Sequence, residues 1–86
     1  MKTSVVVYTM LNCPFCLRAK ALLTQKGVPF NEILLKEEDD AAWEALEKKS
    51  GMSTMPQVFH NDRLIGGYTE LAKLAEKEPN LTSLKA

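Results

Sequence analysis

No charge of either sign dominates this chain. Eleven Lys and Arg stand against eleven Asp and Glu among 86 residues, so the formal net charge is zero. That removes the electrostatic footprint of a nucleic-acid-binding domain. Long apolar runs are missing too, and none approaches the roughly 18 residues that span a membrane. Neither nucleic acid nor a membrane is therefore an expected partner. Repeats, low-complexity tracts and linkers are also lacking, so residues 1–86 read as one domain. A leader would need a longer apolar stretch than Val5-Val6-Val7-Tyr8, which follows Met1-Lys2 and gives way to Thr9 and Asn12. That segment reads as a first strand. Histidine occurs once and cysteine twice. Cysteines this close together close too short a loop to staple a fold. A secreted domain of this size would carry more of them, spread along the chain. The expected location is a reducing compartment, the cytoplasm.

What the chain does have is alternation. Ser4 to Thr9 is a valine-rich run that suits a strand buried on both faces. Phe15, Ala19, Leu22 and Leu23 share one face of a helix, with Pro14 in its first turn, Gly27 as its C-cap and Pro29 beyond. Phe30 to Leu35 reads as a second strand. Asp39 and Asp40 suit a helix start, Ala42, Trp43 and Leu46 give it an apolar stripe, and Gly51 ends it. Gln57 to His60 and Arg63 to Gly66 read as strands joined by a tight turn at Asn61-Asp62. After Gly66-Gly67, Thr69 is the expected cap of a last helix carrying Leu71, Leu74 and Ala75. A strand–helix–strand start implies parallel pairing through a right-handed crossover, and the hairpin adds antiparallel pairing. The expected fold is a small α/β domain with a mixed sheet and helices on its faces.

The chemistry concentrates at Cys13-Pro14-Phe15-Cys16. Thiol exchange needs a thiolate, and an unperturbed cysteine is mostly protonated near neutral pH. Cys13 falls at the junction of strand and helix, where unpaired N–H groups and the helix dipole favour negative charge. Pro14 costs nothing at a first helical position. Cys16, one turn on, can close a disulfide with it. Cys13 is expected to be exposed and nucleophilic, Cys16 more buried and resolving. A Cys-x-x-Cys pair can also form half of a zinc site, but no second pair exists and His60 is the only histidine, so no metal is expected. His60, Trp43 and Phe59 read as structural, and Met52 and Met55 as core or site-rim residues.

These residues resemble a glutaredoxin along nearly the whole chain. Cys13-Pro14-Phe15-Cys16 is similar to the dithiol motif C-P-Y-C with Phe for Tyr. Arg18-Ala19-Lys20-Ala21-Leu22-Leu23 is similar to the family's first helix, Thr54-Met55-Pro56 to T-V-P, and Gly66-Gly67 to the glycine pair before the last helix. The resemblance implies a thioredoxin-like fold with a four-stranded mixed sheet flanked by three or more helices (β-α-β-α-β-β-α). It implies a glutathione-dependent oxidoreductase that reduces protein disulfides and protein–glutathione mixed disulfides. Cys13 and Cys16 would be catalytic, with Pro14 and Phe15 supporting the helix tip. Thr54, Met55, cis-Pro56, Gly67, Thr69 and Glu70 would bind glutathione as a cosubstrate, with no tightly bound cofactor. Partners would be glutathione and disulfide-bearing or glutathionylated proteins, ribonucleotide reductase being a family-level candidate, and the chain would act as a monomer. Two alternatives stay open: a redoxin served by thioredoxin reductase, and a carrier of a glutathione-ligated [2Fe–2S] cluster. One position departs from the pattern. Three residues before the first cysteine the family usually has Lys, and this chain has Met10. Arg18, Lys48 and Lys49 are the cations considered as replacements.

Overall fold

The computed structural model describes residues 4–85; Met1-Lys2, taken above as the approach to the first strand, lies outside them. The elements are β1 (Val5–Thr9), α1 (Pro14–Gln25), β2 (Asn31–Leu34), α2 (Asp40–Ser50), β3 (Gln57–His60), β4 (Arg63–Gly66), α3 (Tyr68–Lys77) and a closing 3₁₀ turn, Thr82–Leu84. They form one four-stranded sheet in the order β2-β1-β3-β4. β1 runs parallel to β2 and antiparallel to β3, and β3 antiparallel to β4. The element order along the chain, the parallel first pair, the antiparallel hairpin and the mixed sheet are those expected from the sequence; the central β1–β3 pairing is set by the structure.

Local chemistry explains the boundaries. Asp39 caps α2, its carboxylate accepting the Ala42 N–H at 3.2 Å. Gly51 ends that helix in the left-handed region, with Lys48 and Lys49 in the last turn. Asn61 and Asp62 both have positive φ (51° and 65°), the backbone of a two-residue hairpin turn whose twist matches the strands. At the end of α1 the C-cap is Lys26 rather than the expected Gly27, which occupies the next position at φ 72°.

Two apolar clusters lie on opposite faces of the sheet. α1 and α3 cover one face, where Val5, Val7 and Val58 meet Ala19, Leu23 and Leu71, and Leu81 and Leu84 close the edge. Burying each of these leucines is worth about 1.5–3 kcal/mol, so this face carries most of the stability. α2 covers the other face more thinly, with Leu46, Ala42 and Trp43 packed around Phe59 and Tyr8. That asymmetry corrects the expectation for β1. Val5, Val7 and Thr9 are buried, but Val6 and Tyr8 are only partly so. Trp43 is likewise partly buried rather than central, its indole N–H donating to the Lys36 carbonyl at 2.9 Å. Phe59 is in the core as expected. Among the described residues no helix is long and apolar enough to cross a membrane.

Candidate active site

β1 ends at Thr9, and Asn12 turns the chain with a positive φ of 58° so that Cys13 becomes the N-cap of α1. Cys13 is extended, and its sulfur accepts the Cys16 N–H at 3.2 Å, where a capping Ser or Asp would place an oxygen. Pro14 follows in the first turn, which contains no acidic residue to oppose negative charge on the sulfur. In this structure Cys13 and Cys16 are joined as a disulfide, with Cα atoms 5.2 Å apart.

Cys13 is not exposed as expected. It is 7% exposed, against 2% for Cys16. The reason lies 42 residues away, where the Met55 carbonyl oxygen sits 3.8 Å from the Cys13 sulfur. The Met55–Pro56 peptide is cis, and both residues are buried, Met55 in the cluster that also holds Cys13 and Cys16. Phe15 also departs from expectation. It leaves the apolar stripe of Ala19 and Leu23 and is 52% exposed, its ring 6.1 Å from that of Tyr68.

The β4–α3 junction supplies the far wall. Here Thr69 is not the cap: α3 starts at Tyr68, Gly67 is the N-cap, and Thr69 is an exposed second residue. Glu70 explains the shift. Its carboxylate accepts the Gly67 N–H at 2.7 Å, reaching back from the third helical position as in a capping box. Gly67 lies close to the proline loop, since a Cβ added there would sit 3.4 Å from the Pro56 carbonyl oxygen.

These elements enclose a groove of about 350 Å³ in which Thr54, Met55, Pro56, Gly67, Thr69 and Glu70, the six residues singled out from the sequence, come together with Phe15. Met52 and Tyr68 complete the lining. Tyr68 had no sequence signal apart from its place after the glycine pair. Gln57 was also missed. It is 1% exposed, and its amide donates to the Met52 and Thr54 carbonyls at 3.1 and 3.0 Å, fixing the loop that forms the groove's edge.

Of the cations considered in place of a lysine at position 10, Lys48 pairs with Glu44 on α2, and Lys49 reaches Asp62 in the hairpin turn at 3.1 Å. Hydrogen bonding to Asp62 raises the Lys49 pKa. Arg18 lies over the Phe15 ring, 5.3 Å from its centroid, beside the groove. Lys20, not among those cations, lines a cleft together with Cys13 and Cys16 and pairs with Glu32 at 2.9 Å. His60 pairs with Val5, at the opposite end of β1 from the dithiol.

A cysteine pair at a helix N-terminus, faced by a cis-proline loop on a four-stranded mixed sheet, defines a thiol–disulfide oxidoreductase of the thioredoxin-like class. Within that class the chain belongs to the glutaredoxin family, whose model matches residues 5–65. It is 44% identical over 71 residues to a probable glutaredoxin of Synechocystis sp., a match covering 83% of this chain and 65% of that relative, just under two thirds of its length. It is 39% identical over 85 residues to glutaredoxin 1 of Rickettsia prowazekii, covering 94% of this chain and 85% of the relative. Among solved structures, a buckwheat glutaredoxin–glutathione complex superposes with a TM-score of 0.81 at 30% identity, covering 94% of this chain and 74% of that one.

Proposed function

We propose that this protein is a glutathione-dependent dithiol oxidoreductase that reduces protein disulfides and protein–glutathione mixed disulfides in a reducing compartment, the cytoplasm. The observation that carries this reading is the groove of Thr54, Met55, Pro56, Gly67, Thr69 and Glu70, whose Met55 carbonyl lies 3.8 Å from the Cys13 sulfur. A similar fold is seen with glutathione in the buckwheat protein. Glutathione is a short peptide with two carboxylates and an ammonium group. Its cysteinyl unit would pair with the Met55 backbone like an added strand. The first-turn N–H groups of α3, Thr69 among them, lack intrahelical acceptors and suit the γ-glutamyl carboxylate. Glu70, on the groove wall, suits the ammonium.

In the reduced protein the Cys13 thiolate attacks the glutathionyl sulfur of a mixed disulfide. The target's thiolate leaves and takes a proton, and glutathione stays joined to Cys13. The thiolate of a second glutathione displaces Cys13, giving oxidised glutathione. On a protein disulfide, Cys13 attacks first and Cys16 releases the product, leaving the Cys13–Cys16 disulfide that this structure holds.

The reading requires an activated sulfur. The Cys16 N–H at 3.2 Å and the helix dipole both stabilise the thiolate. In the reduced protein the Cys13 pKa is expected well below the free value of roughly 8.5. Thiolate absorbance followed against pH measures it, and a value above about 8 removes the case for activation. The direct test of function is a coupled assay on a glutathionylated peptide, with glutathione and glutathione reductase in one arm and thioredoxin reductase in the other. Turnover is expected in the glutathione arm. Turnover confined to the thioredoxin reductase arm overturns glutathione dependence.

A further inference from the structure

A second cleft opens on the other side of the dithiol. It is larger than the glutathione groove, at about 600 Å³, and both Cys13 and Cys16 line it. Its walls are Met10 and Leu11 from the loop after β1, Leu17 from α1 and Leu34 from β2. Leu11, Leu17 and Leu34 are 65%, 64% and 46% exposed. Scattered surface leucines need no explanation, but apolar side chains grouped around a reactive centre mark an interaction surface. No sequence pattern groups them, because they come from three separate elements.

The charge of this cleft narrows what fits it. Among the described residues, the charged ones lining it are Lys20 and Glu32, and they neutralise each other at 2.9 Å. The Lys20 ammonium, and then the Thr9 hydroxyl at 2.7 Å, hold Glu32 below the ordinary carboxylate range. Glu32 therefore stays ionised around neutral pH, and its pairing with Lys20 leaves no net charge facing a visitor. A ligand as charged as glutathione gains little here. β2 is also an edge strand of the sheet, so its outer backbone groups lie beside Leu34.

A polypeptide that delivers a disulfide to Cys13 must continue past the sulfurs, and this cleft begins at them. We propose that the cleft of Met10, Leu11, Leu17 and Leu34 docks the segment flanking the target cysteine of a protein substrate, and that it selects uncharged, apolar residues there. This rests on the dithiol chemistry proposed above but not on its dependence on glutathione. In the selected reaction the Cys13 thiolate forms a mixed disulfide with the docked cysteine and expels that cysteine's partner thiolate, which is protonated. The Cys16 thiolate then displaces the docked cysteine, whose thiolate is protonated in turn. The substrate gains two electrons, and the protein is left as the Cys13–Cys16 disulfide.

The test uses the pre-reduced full chain with no glutathione present. It is mixed with two disulfide-bonded peptides that differ only in carrying Leu or Asp beside the cysteine, and with bis(2-hydroxyethyl) disulfide as an apolar-contact-free probe too small to fill the cleft beyond the sulfurs. The Leu peptide is expected to react about tenfold faster than the Asp peptide, which is half or more of one buried leucine's worth. Leu17→Gln and Leu34→Gln, uncharged changes at exposed positions that leave the field at the sulfurs alone, are expected to erase that preference and leave the small-disulfide rate unchanged, while Leu17→Met keeps it. Equal rates for the two peptides in the wild type overturn the docking surface. So does an equal slowing of all three probes in the variants, which would place the effect on the thiols. Sedimentation provides a separate check: a wild-type dimer that Leu17→Gln dissociates assigns the cleft to a second copy and also overturns the proposal. No reaction with any disulfide refutes the dithiol chemistry itself, a result distinct from loss of the preference.

Discussion

Replacing Cys13 by serine is expected to abolish both reduction of protein disulfides and removal of glutathione from proteins, while Cys16→Ser removes only the first. The asymmetry follows from the positions of the two sulfurs. Cys13 is the N-cap, and its sulfur receives the Cys16 N–H at 3.2 Å. A serine hydroxyl there could cap the helix as well as or better than sulfur, so the fold should survive. Its alkoxide is out of reach at neutral pH, and no neighbouring histidine can act as base because His60 pairs with Val5 at the far end of β1. The loss should reach roughly three orders of magnitude or more in kcat/KM in both assays. Cys16 acts differently. Its contribution to Cys13 comes from a backbone N–H that serine retains. Cys16→Ser should therefore leave the Cys13 pKa and deglutathionylation close to wild type, while mixed disulfides with protein substrates accumulate unresolved. Equal loss in both assays, or a Cys16→Ser variant whose Cys13 pKa rises to the free value, would refute this division of labour.

Much of this site was legible because it is encoded locally. Cys13-Pro14-Phe15-Cys16 carries its own helix start, Asn61-Asp62 its own turn, and Gly66-Gly67 its own break. Hydrophobic period and capping chemistry then give the element order without any tertiary information. What escaped depends on partners far along the chain. Cys13 looks exposed until Met55 is placed against it, and no pattern around residue 13 encodes that contact. Phe15 matches the apolar stripe of α1, but only tertiary packing turns it toward Tyr68 at the groove. Thr69 is a better capping residue than glycine in isolation, yet the Glu70 carboxylate bonds the Gly67 N–H and α3 begins earlier. Lys20 and Glu32 pair across 12 residues, and the neutral cleft they create belongs to no motif.

The same junction gives the largest expected effect on stability. Gly66 has a φ of 131°, a conformation that side chains rarely adopt, and a Cβ there would lie 2.6 Å from Glu70 Cγ and 2.7 Å from its Cβ and Oε1. The conflict cannot be relieved by swinging a side-chain tip, because the Glu70 Cβ is fixed to the first turn of α3. Gly66→Ala must therefore rotate its own backbone or push α3 away, breaking the 2.7 Å bond from the Gly67 N–H to Glu70. Backbone strain and overpacking together should cost about 3 kcal/mol or more. In a domain of this size that corresponds to a fall in Tm of roughly 15 °C. Gly67→Ala separates folding from binding. Its φ of −92° suits any residue, and the added Cβ meets Glu70 Oε1 and the Pro56 carbonyl oxygen at 3.4 Å, near ordinary contact. That variant should keep its Tm within a few degrees. Its methyl group would intrude on the groove proposed for glutathione, and glutathione should bind about tenfold more weakly. Thermal unfolding and glutathione titration on the two variants decide the matter. A Gly66→Ala protein as stable as wild type would mean that Glu70 does not hold this junction, and a Gly67→Ala protein with undiminished glutathione affinity would move the ligand out of the groove.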